Sequence, residues 1–133
     1  MDVKSYQKNS TKRVLVVDDE PHILRLMKLF LERAGYQVTY GLNGKRALDQ
    51  IHNKAPDVVI ADIEMPIMGG VELSEHLIQY FSELQILIIL MTTRINVDID
   101  LWARHYPNIE LMEKPLSMRR LVSRLNNYFA ESR

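Results

Sequence analysis

Three segments of the chain are continuously apolar instead of alternating: VLVV at 14–17, VVIA at 58–61 and ILIIL at 86–90. A strand reads this way when helices cover both of its faces, which is the condition of a parallel sheet. With their flanks these give strands at 13–18, 57–62 and 85–91, and two shorter β-branched or aromatic stretches, YQVTY at 36–40 and IELM at 109–112, complete a set of five. Helical periodicity fills the gaps. Pro21 suits a first helical turn, Ile23, Leu26, Met27, Phe30 and Leu31 form one stripe, and Gly35 ends it. Residues 43–54 place Ala47, Leu48 and Ile51 on one face and stop before Pro56, and residues 70–81 repeat the pattern with Val71, Leu73, Leu77, Ile78 and Phe81. Ser117 is placed to cap a last helix carrying Leu121, Val122, Leu125, Tyr128 and Phe129.

Residues 93–106 are ambiguous. Ile95, Val97, Ile99 and Leu101 alternate like a strand, whereas Ile95, Ile99, Trp102, Ala103 and Tyr106 make a helical stripe. Two parallel strands need a crossover between them, which decides for a helix. The expectation is an α/β chain of five βα units, a doubly wound (βα)5 five-stranded parallel sheet with right-handed crossovers.

Composition narrows the class. The chain has 133 residues, enough for one domain, expected over 11–133 behind a flexible tail at 1–10. The absence of cysteine removes thiol chemistry and cysteine-based zinc sites. Lys plus Arg and Asp plus Glu are both 17, so no direct nucleic-acid binding and no membrane contact is expected. Residues 1–12 lack the apolar core of a signal peptide, and a cytoplasmic protein is expected. The four histidines show no metal-ligand spacing, and Arg119, Arg120 and Arg124 read as a solvated helix face. The sequence stops directly after the fifth helix, so readout through a separate partner is expected.

Ligands of an open parallel sheet bind beyond the carboxyl ends of its strands. There the sequence sets Asp18, Asp19 and Glu20 after strand one, Asp62 at the end of strand three, Thr92 and Thr93 after strand four, and Lys114 and Pro115 after strand five. Crowded carboxylates raise one another's pKa unless a cation relieves them, and Mg2+ accepts one or two carboxylates together with phosphate oxygens. A carboxylate is also a nucleophile toward phosphorus. Phosphoryl transfer to it needs a positioned acceptor, a metal and donors for the remaining oxygens.

VLVVDDE at 14–20, DVVIADIEMPIMGG at 57–70, ILMTT at 89–93 and EKP at 113–115, in that order, resemble the receiver domains of two-component response regulators, of the chemotaxis-regulator type. The resemblance implies a flavodoxin-like sheet in the order 2-1-3-4-5. It makes Asp62 the phosphoacceptor and gives Mg2+, or Mn2+ in its place, to Asp18, Asp19, Asp62 and the main-chain carbonyl of Glu64. It implies that Thr92 and Lys114 hold the phosphoryl group and that a cis peptide precedes Pro115. The implied donor is a histidine kinase or a histidine phosphotransfer protein, with an unidentified output partner. A dimer through the face of the fourth helix, fifth strand and fifth helix is also allowed. Such a chain catalyses only its own phosphorylation and dephosphorylation.

The pattern departs from the family at four places. Leu111 replaces an aromatic residue, Thr93 a small one, and Pro107 with Asn108 the usual Gly-Ala turn. Glu64 and Arg94 take the positions that tune phosphoryl lifetime, and are expected to face each other across the mouth of the site. Three competing readings remain: an aspartate-nucleophile phosphatase, which wants an Asp at position 64; a flavodoxin-like binding module, which wants a Ser/Thr/Gly-rich loop after strand one; and a receiver-like docking module with little phosphorylation.

Overall fold

The computed structural model describes residues 11–131. The expected tail at 1–10 lies outside them. Five strands, β1 (Arg13–Val17), β2 (Gln37–Gly41), β3 (Val58–Asp62), β4 (Leu87–Thr92) and β5 (Ile109–Glu113), alternate with five helices. These are α1 (Pro21–Arg33), α2 (Gly44–Asn53), α3 (Gly70–Tyr80), α4 (Val97–Arg104) and α5 (Met118–Glu131). All strand pairs are parallel and the order is β2-β1-β3-β4-β5, the doubly wound arrangement expected from the sequence.

Alternate strand residues feed two cores. Val14, Val16, Ile60, Ile89 and Met91 pack with Leu24, Met27 and Leu31 of α1 and Leu121 and Leu125 of α5. Leu15, Val17, Val59, Ala61, Ile88 and Leu90 pack on the opposite face with Ala47, Ile51, Leu73, Leu77 and Ala103 of α2, α3 and α4. This two-sided burial is why the central strands show no polar alternation. Among the described residues no helix is long and apolar enough to cross a membrane.

The expected helix ends hold where a polar cap defines them. Asn43 accepts the N–H of Arg46, and the Ser117 hydroxyl accepts that of Arg120. Gly35 takes φ +100°, a conformation costly for a side-chain residue, and turns the chain out of α1. The ambiguous segment is a helix, but only of eight residues. The side chain of Asn96 caps it at the N–H of Ile99, 2.8 Å away, so the chain from Thr93 to Asn96 is loop and not the helix start read from periodicity. The turn at Pro107 and Asn108 is tied to β4, where the Asn108 side chain donates to the Ile86 carbonyl at 2.9 Å.

Arg124 corrects the reading of a solvated basic face. Its guanidinium forks onto the Glu110 carboxylate, with Nε donating at 2.8 Å, and so joins α5 to β5. This contact holds the Arg124 pKa above its ordinary value.

Candidate functional site

The carboxyl ends of the strands meet around a cavity of about 250 Å3 lined by Asp19, Glu20, Asp62, Glu64, Thr92, Thr93 and Lys114. Of the residues read from the sequence, Asp18 adjoins it through its contact with Lys114. Asp62 is the last residue of β3, a strand buried along its whole length, and is itself only 7% exposed. One carboxylate oxygen, Oδ1, accepts the N–H of Glu64 at 3.2 Å, and the other, Oδ2, pairs with Lys114 Nζ at 2.5 Å. The Lys114–Pro115 peptide is cis, as expected. The main-chain N–H of Lys114 donates to the Thr92 carbonyl at 2.7 Å, which fixes the root of the lysine beside β4.

Gly70, at the head of α3, lets this helix approach the end of β3. A Cβ there would stand 2.7 Å from the main-chain oxygen of Asp62.

Asp18 follows β1 and is fully buried. Its Oδ1 accepts the N–H of Glu20 at 2.9 Å, whereas its buried Oδ2 has no hydrogen-bond partner and lies 3.9 Å from Lys114 Nζ. Burial raises its pKa, against the opposing pull of the Glu20 N–H and the Lys114 charge, and Asp62 and Asp19 push it further up. On Lys114 burial works against the charge, but the hydrogen bond to Asp62 and the negative charges of Asp62, Asp18 and Glu20 prevail, and its pKa is raised.

Asp18, Asp19 and Glu20 each offer an oxygen within 4.8 Å of the others. An all-oxygen donor set with an unsatisfied buried carboxylate oxygen fits a hard divalent cation. The sequence sets Glu20 after strand one but the resemblance gives it no role at the site. The signal for it was the third acid of the DDE run. Its carboxylate also lies 3.3 Å from His22, an exposed residue at the start of α1.

Thr92 is 7% exposed, but its hydroxyl is engaged away from Asp62: Oγ1 donates to the Arg94 carbonyl at 3.0 Å and accepts the Arg94 N–H at 3.2 Å. Thr93 is exposed at the rim. Leu111 is half-buried against the α4 side of the core. Glu64 lines the cavity, but among the described residues no ion pair joins it to Arg94, so the expected bridge over the mouth is not formed. What Arg94 contributes is its backbone, bound to Thr92.

A family model described as the response regulator receiver domain matches residues 14–126. The alkaline phosphatase synthesis transcriptional regulatory protein PhoP of Bacillus subtilis is 32% identical over 119 residues, 86% of this chain and 47% of PhoP. The chain thus spans about half the length of that relative. Protein PilH of Pseudomonas aeruginosa is 28% identical over 118 residues, 89% of this chain and 98% of PilH. A CheY-like response regulator receiver domain protein from Methanospirillum hungatei, known from its crystal structure, matches with a TM-score of 0.80 and 25% identity over 91% of this chain and 95% of that one. Sequence, strand order and the acidic sheet edge agree, and the chain belongs to the response regulator receiver domain family.

Proposed function

We propose that the chain takes a phosphoryl group on Asp62 from a histidine kinase or histidine phosphotransfer protein and signals by a conformational change to an output partner. The observation that carries this reading is the setting of Asp62: a 7%-exposed carboxylate at a strand end, paired with Lys114 at 2.5 Å in a cavity shared with Thr92. An Asp62 oxygen attacks phosphorus, the P–N bond of the donor phosphohistidine breaks, and its electron pair leaves with the imidazole nitrogen. Lys114 passes from the free carboxylate to a phosphoryl oxygen, so its positive charge meets the negative charge as it is redistributed. Thr92 supplies a hydroxyl donor to another oxygen once it has left Arg94.

Asp18, Asp19, Asp62 and the Glu64 carbonyl would hold Mg2+, or Mn2+, which would supply positive charge against the negative charge brought in with the phosphoryl group. The same groups serve the later hydrolysis of the acyl phosphate, and the chain, working in the cytoplasm, processes no other substrate.

The donor's approach is supported by a second cavity of about 420 Å3, which shares Glu20, Thr93 and Lys114 with the acidic one and is otherwise lined by Ile23, Leu26, Met27, Met91 and Met118 among others. Self-association belongs to the same reading, through the α4–β5–α5 face, where Val97 and Leu101 are exposed.

The test is incubation with Mg2+ and acetyl phosphate, followed by intact mass. One added phosphoryl group is expected on the native chain and none on Asp62→Asn, whose carboxamide fills the same volume without attacking phosphorus. Equal labelling of the Asn variant would move the acceptor elsewhere.

A further inference from the structure

The Arg94–Ile95 peptide is held at both ends by side chains from the rim of the site. Its carbonyl oxygen receives the Thr92 hydroxyl proton at 3.0 Å. Its N–H, on Ile95, donates to Glu113 Oε2 at 3.1 Å. The two bonds share one planar amide, so neither can reorient without disturbing the other. Glu113 stands directly beside Thr92 in the β4–β5 register and immediately before Lys114, and among the described residues no hydrogen bond joins it to Asp62.

A threonine hydroxyl has one proton to give. While that proton rests on Arg94, it is withheld from any oxygen at Asp62. A carboxylate accepting the N–H of an amide also polarises its carbonyl and strengthens the bond at the far end. We propose that Glu113 is a positioning residue that clamps the Arg94–Ile95 peptide and thereby keeps the Thr92 hydroxyl turned away from the phosphoryl site. This inference rests on the phosphoacceptor reading. It assigns to Glu113 a restraint on the phosphorylated form: the better the clamp holds, the less readily Thr92 changes partner. Glu64, which lines the cavity, and Lys114, which pairs with Asp62, are not part of this clamp.

Glu113→Ala removes the acceptor, while Glu113→Gln keeps a carbonyl oxygen in its place and removes only the charge. Amide hydrogen exchange of the whole chain without phosphodonor reads the clamp itself: Ile95 N–H loses protection in the Ala variant and keeps most of it in the Gln variant. With Mg2+ and acetyl phosphate, the Ala variant should gain its phosphoryl group roughly three- to tenfold faster than the native chain, the change that the net worth of one solvent-exposed hydrogen bond supports. The Gln variant, which keeps the acceptor and loses the charge, should fall between the native chain and the Ala variant, and in a Thr92→Ala background Glu113→Ala should change the rate no further.

Equal acceleration by Ala and Gln would mean that Glu113 acts only through its charge on the approaching donor, and would overturn the proposal. So would an undiminished Glu113→Ala effect without the Thr92 hydroxyl, or an Ile95 amide equally protected in the Ala variant. The exchange measurement needs no phosphoryl transfer. A native chain that takes no phosphoryl group therefore defeats the phosphoacceptor reading, and the Ile95 amide still decides the clamp.

Discussion

β3 and β5 lie on either side of β4 and supply the two ends of one ion pair, Asp62 and Lys114, but they are anchored by different means. β3 is hydrogen-bonded on both edges and every one of its residues is buried. β5 is an edge strand with one buried residue, Ile109, and its rim is tied by polar side chains: Arg124 to Glu110, and Glu113 to the loop before α4. The Asp62 carboxylate is thus mounted where displacement would disturb the packed core. Lys114, which changes partner in the proposed reaction, is mounted beside a strand whose displacement costs a few exposed or half-buried hydrogen bonds. Strength of local anchoring differs across a site only a few residues wide, and low local stability is where switching elements are drawn from.

The sharpest way to break this contrast is to truncate one apolar residue in each strand. Ile60 in β3 is fully buried between two sheet neighbours and the α1–α5 core, so Ile60→Ala should cost about 2–5 kcal/mol in urea unfolding. Leu111 in β5 is only half-buried, and Leu111→Ala should cost about half as much. Equal losses would show β5 to be as firmly packed as β3.

How much of this was legible follows from the same division. Strands whose burial is two-sided announce themselves as unbroken apolar runs, so β1, β3 and β4 could be read directly, and the chemistry at their ends came with them. α4 was harder because it buries only Ala103 and its start is set by the Asn96 side chain, a local hydrogen bond that competes with the stripe beginning at Ile95. Glu113 entered the sequence reading only as the first residue of the EKP motif, with no role of its own, and only the folded β5 edge brings it to Ile95. The Glu64–Arg94 bridge failed for a related reason. Adjacent strands put the two residues on neighbouring loops, but among the described residues no ion pair joins their side chains, and Arg94 meets the site through its main chain.

The next prediction concerns β1 at the well-packed centre. Asp18 is buried with one oxygen unpartnered and its pKa raised by burial, so in the metal-free chain its charge opposes folding. Because the folded pKa lies above the ordinary 3.8, its favourable contribution is complete below pH 3.8 and is lost as pH rises through the folded value. Asp18→Asn should therefore raise the melting temperature at pH 7 and do so less near pH 4. Mg2+ should stabilise the native chain by up to roughly 2–3 kcal/mol near a hundredfold excess over its dissociation constant, and the Asn variant much less. Thermal unfolding with and without Mg2+ at both pH values separates these terms. A variant less stable than the native chain at pH 7 without metal would show the buried charge to be compensated.

Ile67 sharpens the contrast on the loop that leaves β3. It is a β-branched residue at φ +70° and 76% exposed, so it carries a left-handed backbone without burying its side chain. A buried strand with Asp62 at its end, followed by a helix pressed against it through Gly70, leaves this loop little room to relax. Ile67→Gly should stabilise the chain by about 1 kcal/mol, read as a higher urea midpoint with unchanged slope. A lower midpoint would mean that the side chain contributes more than the backbone conformation costs.

The smallest effect tests whether the two regions act together at the mouth of the site. Glu64 follows β3 and lines the cavity, whereas Arg94 follows β4 and meets the site through its main chain, which Ala retains. Even if the two side chains met transiently, an exposed pair would contribute about 0–1 kcal/mol. Glu64→Ala should change the rate of phosphate loss from Asp62 by a few-fold, since a charge at the cavity wall affects an attacking water. Arg94→Ala should change it little, and the logarithms of the two effects should add to within about 0.3–0.5 kcal/mol in the double variant. Phosphate release at fixed Mg2+ from the four proteins gives the coupling directly. A double variant no faster than the quicker single would restore a shared lid spanning the two regions; additivity leaves the packed centre and the tethered rim to act on the phosphoryl group independently.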